Sequence, residues 1–157
     1  MPFAKKTEAA LKQGEHILAH TLLDKAIDAY LKGFEADWRD AYPGINVVTL
    51  MTLKEPPELR KEQIIPVVRY AVERKIASGK PDYWDYATLL ELAVLAKDEE
   101  KAMKALSDSL AVIREVWEPE TTARNLRLIR EARERRGEFV QWEKGIEEEL
   151  MRRTRRI

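Results

Sequence analysis

The sequence contains no cysteine, which excludes both a disulfide framework and a thiolate-ligated metal centre. Glycine is scarce, six among 157 residues, and the six do not cluster. Neither a phosphate-cradling loop nor a dinucleotide fingerprint can be built from them. There is no charge excess either. Twenty-eight basic residues face 28 acidic ones, so the electrostatic basis for specific nucleic-acid binding is missing. No apolar run approaches the ~20 residues of a membrane-spanning helix. The opening MPFAKKTEAALKQG lacks the apolar core and cleavage site of a signal peptide, so a cytoplasmic location without a membrane partner is expected.

What is abundant is charge, at 36% of residues, carried on a background of Ala, Leu, Glu, Lys and Arg. That mixture favours helix throughout, and no stretch shows the alternation of a half-buried strand. The length suits one domain or three to four helix pairs. Lys5 to Gln13 reads as a short helix stopped by Gly14. Residues 15–37 place Leu22, Leu23, Ala26, Ile27, Tyr30 and Phe34 on one stripe, the helix starting either near Glu15 or after His20. Trp38 to Tyr42 is a connector, and Pro43 opens an interior helix running to Leu53. KEPPELRK is a loop, followed by a helix to Ser78. Asp82 caps a second interior helix, and Lys97–Asp98 turns into a helix predicted to run from Glu99 to about Val116. After the Trp117–Pro119 turn comes a helix with Ala123, Leu126, Ile129 and Ala132 inward, ended by Gly137. A last helix carries Phe139, Trp142, Ile146 and Leu150 on one face. The small-large-small set Ala26, Tyr30, Gly33 recurs as Ala102, Leu106, Ser109, which is the mark of a repeat.

Catalytic chemistry finds no support. His16 and His20 lack a third ligand, and Glu91, Asp98, Glu99 and Glu100 fall on expected exposed faces or turns. No metal, cofactor or catalytic residue is therefore expected. Arg124, Arg127, Arg130, Arg133, Arg135 and Arg136 interleave with Glu131, Glu134 and Glu138, which reads as a solvated surface with internal ion pairs. The polar and aromatic residues near helix ends point instead to binding, because Trp, Tyr and Arg are favoured at interface hot spots. The candidate partner-binding set is Trp38, Arg39, Asp40, Tyr42, Asn46, Tyr83 and Asn125, with Trp84 and Trp117 at similar positions. The competing reading is that the aromatics plug gaps between repeats.

Three segments, GFEADWRDAYPGIN, PDYWDYATLLELAVLAKDEEKA and TTARNLRLIREAR, in that order, resemble the TRAFs-binding domain family. That family is the tetratricopeptide-like central region of the animal apoptosis signal-regulating kinases and has bacterial relatives. The resemblance implies an all-α, tetratricopeptide-like superhelix of about seven to eight antiparallel helices. It would form a single helical-repeat domain over residues 1–157, either alone or as the C-terminal part of a longer repeat protein, with residues 151–157 a basic, frayed tail. It also implies a non-catalytic scaffold that recruits or regulates a signalling or defence effector, through a protein partner or an attached effector domain. An alternative use of the fold is a sensor for an anionic small ligand or nucleotide in the concave groove.

Overall fold

The structure, a computed structural model, describes residues 6, 9, 10, 12 and 14–154. Lys6, Ala9, Ala10 and Lys12 are helical, and the rest of the expected first helix lies outside the described residues. Seven helices follow among the described residues, with no strand: α1 (His16–Ala36), α2 (Ala41–Leu53), α3 (Lys61–Ser78), α4 (Tyr83–Leu95), α5 (Glu99–Leu110), α6 (Trp117–Arg135) and α7 (Gln141–Thr154). The chain is all-α, as the sequence predicts. It divides into two compact units, Met1–Val68 and Arg69–Ile157, the boundary falling inside α3.

In the first unit α1 and α2 form a helix hairpin. Every residue from Pro43 to Thr52 is buried, which is why α2 has so little polar character. Gly44 sits where a Cβ would lie 2.5 Å from Val68 Cγ2 and 2.9 Å from Phe34 Cδ1, so glycine is what lets α1, α2 and the start of α3 close together. The 54–60 loop is pinned to α1 by Lys54, whose ammonium lies 3.2 Å from Asp24.

In the second unit α4 pairs with α5 and α6 pairs with α7, and the two hairpins stack through α4 on α6 and α5 on α7. Leu90, Val94, Ala102, Leu106, Leu126, Ile129, Ile146 and Leu150 form the shared core. The cap predicted at Asp82 is present, and Asp98 caps the next helix. Asp82 and Asp85 make a reciprocal capping box, and Asp98 accepts from Lys101 N–H.

Three helix ends share one pattern. A residue with positive φ (Gly14, Lys97 or Gly137) is followed by an N–H that reaches back five residues: Glu15 to Ala10, Asp98 to Ala93, Glu138 to Arg133. This is the Schellman closure, which satisfies carbonyls that the helix leaves open. Lys97 is the exception in residue type, holding at φ 56° a conformation that favours glycine.

Two expectations about helix bounds need correction. α5 stops at Leu110, not near Val116, because the chain is drawn into a connector by Glu118, which accepts from the backbone N–H groups of Arg114 and Glu115. Phe139 does not join the inward face of the last helix. It lies exposed in the short connector after Gly137, since α7 begins only at Gln141. Of the basic tail, Arg152 and Arg153 belong to the last turn of α7, and residues 155–157 lie outside the described residues.

Candidate functional site

The connector between α1 and α2 is short and fixed. Asp40 N–H donates to Asp37 O at 3.1 Å, and Asp37 Oδ1 accepts from both Arg39 N (3.2 Å) and Arg39 Nε (3.0 Å). Those bonds to Arg39 hold the Asp37 carboxyl below the usual carboxylate range. Asp40 then caps α2 by accepting from Tyr42 N–H at 3.1 Å. With the backbone held, Trp38 and Tyr42 remain 49% and 59% exposed. The Tyr42 ring meets Tyr30 edge-on, centroids 6.2 Å apart. Burial and Tyr42 together push the Tyr30 hydroxyl up to about 12.

The other three candidates are placed differently. Asn46 is buried, and its Nδ2 donates to Tyr42 O at 2.9 Å, so it steadies the turn that carries Tyr42. Tyr83 is fully buried and donates to Thr122 Oγ1. Asn125 is buried against Glu91, donating to its Oε1 at 3.2 Å. Trp38, Arg39, Asp40 and Tyr42 are thus surface neighbours on one corner of the first unit. Tyr83 and Asn125 belong to the α4–α6 interface of the second unit.

Residues 11–151 match the model of the MAP3K TRAFs-binding domain. The chain belongs to that family. Over 111 residues, 68% of its length, it is 33% identical to mitogen-activated protein kinase kinase kinase nsy-1 of Caenorhabditis elegans. It spans 7% of that protein. No solved structure matches. A TRAFs-binding domain is a protein-interaction module.

Among the described residues of this TRAFs-binding domain no cluster of three or more His, Asp or Glu is arranged to hold a metal. His20 instead approaches Asp24 at 3.7 Å. The arginine series of α6 is only partly the solvated surface expected. Arg127 pairs with Glu131, and Arg130 lies between Glu134 and Glu147, at 2.7 Å from the latter. Arg133, however, is buried. Its Nη1 donates to Glu143 and to Val94 O, and its Nη2 donates to Leu95 O. The guanidinium therefore closes the C-terminus of α4, where the helix dipole favours a cation. Burial raises the Glu143 carboxyl against the pull of Arg133.

Glu91 also departs from expectation, being buried in α4 instead of exposed. The sequence carries a signal for both. Glu91 is in phase with Ala87 and Val94, and Arg133 with Leu126 and Ile129, so each lies on its helix's apolar stripe. Position on the stripe, not side-chain type, decides their burial. Glu118 is a further residue that the sequence pattern does not bring forward, although an acidic residue in the first turn of a helix is the usual place for an N–H acceptor.

Proposed function

We propose that this TRAFs-binding domain is a non-catalytic scaffold that recruits or regulates a signalling or defence effector, with the Trp38–Tyr42 corner as its contact edge. The observation that carries the site is the pairing of two exposed aromatics with a connector whose backbone is fixed by Asp37 and Asp40. Large aromatic side chains on a rigid backbone bury area at little entropic cost, which suits a protein contact. The family's description ties it to TRAF adaptors, and the worm relative is a kinase kinase kinase, which supports a signalling partner. Asn46 would act indirectly, by holding the Tyr42 carbonyl. Three of the arginines that an anionic-ligand sensor would use, Arg127, Arg130 and Arg133, are matched by Glu131, Glu147 and Glu143, which favours the interaction reading.

The test is affinity capture from the native host followed by mass spectrometry, comparing the wild-type chain with Arg39→Ala/Tyr42→Ala. The double variant should lose the captured partner while its helical circular dichroism and melting temperature stay unchanged. Unaltered capture would show that the corner is not the contact edge, and unfolding of the variant would show it to be structural.

A further inference from the structure

A second aromatic surface lies in the second unit, where α4 and α6 begin. The rings of Trp84 and Trp117 are 5.6 Å apart at 34°, and Trp117 stays 55% exposed with Val116 beside it. This ledge is built on a fixed base. Glu118, 1% exposed, accepts from Arg114 N, Glu115 N and Arg114 Nη2 at 2.7, 3.0 and 2.8 Å. Arg114 also reaches to 3.9 Å from Asp82, tying the connector to the cap of α4. A buried carboxylate is thus committed to holding the segment that presents an open indole to solvent.

The charge around the ledge is one-sided. Segments 82–85 and 114–120 contain Asp82, Asp85, Glu115, Glu118 and Glu120 against Arg114 alone. Asp85 is matched by Lys75 at 2.8 Å, and Arg114 by Glu118. With Asp82 engaged by Arg114 and by its own helix cap, Glu115 and Glu120 remain as an exposed acidic rim, Glu120 one turn from Trp117 on the same side of α6. Indole faces with carboxylates at their edge suit a cation that can stack, and the planar guanidinium stacks on aromatic faces where the compact, strongly hydrated ammonium does so less readily.

We propose that the Trp84–Trp117 ledge is a docking surface for an arginine-bearing segment of a partner protein. The guanidinium lies over the indoles and its charge faces Glu115 and Glu120.

The probe is a fluorescein-labelled hexapeptide Arg-Arg-Thr-Arg-Arg-Ile, with a lysine-for-arginine version as comparison, titrated with the full chain and read by anisotropy. The arginine peptide should bind about threefold more tightly than the lysine peptide, the size of a stacked cation at an exposed site. Trp117→Ala should weaken it about tenfold, and Glu115→Gln/Glu120→Gln should weaken it and lower its salt dependence. Circular dichroism checks that each variant is folded, and the Gln pair decides the outcome if Trp117→Ala unfolds. Equal binding of the lysine peptide, or no effect of Trp117→Ala in a folded chain, overturns the proposal. The probe sequence is also that of residues 152–157. A concentration-dependent dimer in sedimentation, lost in Trp117→Ala, would therefore make the occupant a second copy and overturn the assignment to a separate partner.

Discussion

The hydroxyl of Tyr83, the first residue of α4, donates to Thr122 Oγ1 at 2.8 Å, and Thr122 in turn donates to Glu118 O at 3.3 Å. At the far end of the same two helices Arg133 holds the carbonyls of Val94 and Leu95. Start thus meets start and end meets end, so α4 and α6 run parallel, as equivalent helices of successive hairpins do. Tyr83→Phe should cost ~1 kcal/mol, because Thr122 keeps its own acceptor, whereas Thr122→Val should cost about 1–3 kcal/mol by stranding a buried phenol. Urea melts of the two singles and the double give the coupling.

Gly44→Ala should be among the most damaging small changes in the chain. The added methyl would meet Val68 Cγ2 at 2.5 Å and Phe34 at 2.9 Å, both inside a packed core. A loss of about 1–3 kcal/mol is expected. Gly145→Ala has open space around the new methyl and should instead be neutral or stabilising. The difference in denaturation midpoint between these two variants is the measurement.

Lys97→Gly should stabilise the protein by about 1 kcal/mol, since glycine removes the penalty for the left-handed backbone that closes α4. The surface pair of Lys97 with Glu138 at 3.5 Å is lost, but such exposed pairs contribute little. A lowered melting temperature would mean that the Lys97 side chain matters more than its backbone.

Glu118 predicts an acid-sensitive transition. Burial works to raise its carboxyl, but the hydrogen bonds from Arg114 and from two backbone N–H groups prevail and hold it below the ordinary glutamate value. A folded-state value below the unfolded one stabilises the fold at neutral pH, and that contribution is lost as pH falls through the folded value. Glu118→Gln should be less stable at pH 7 and show a flatter melting temperature against pH below the ordinary glutamate range. Its 111–116 connector should also lose protection in hydrogen exchange.

Helix number, the cap at Asp82 and the interior character of α2 and α4 were legible in sequence because they depend on local chemistry and periodicity. Pro43 at the start of α2 and Asp82 before α4 are signals within a single turn, whereas the cap made by Asp40 was not read from the sequence. The buried polar groups were not legible in the same way. Glu91 and Arg133 lie on the apolar stripes of their helices, but the groups that satisfy them there, 34 and 39 residues away, are set by packing, and Glu118 takes its donors from an irregular connector that no periodicity describes. The candidate surface divided along that line. Trp38 and Tyr42 owe their exposure to the local corner, while Tyr83 and Asn125 are covered by α6 packing on α4, a contact that no local pattern encodes.

Arg133 begins on α6, closes α4, and takes its counter-ion from α7. Cutting the chain before Gln141 would leave that guanidinium buried without its carboxylate, and cutting before Trp117 would leave the last carbonyls of α4 open. Each hairpin of the second unit is therefore unfinished by itself. The four helices should melt in one transition, and a truncation that keeps only α4 and α5 should yield a loosely packed chain, not half of a folded one.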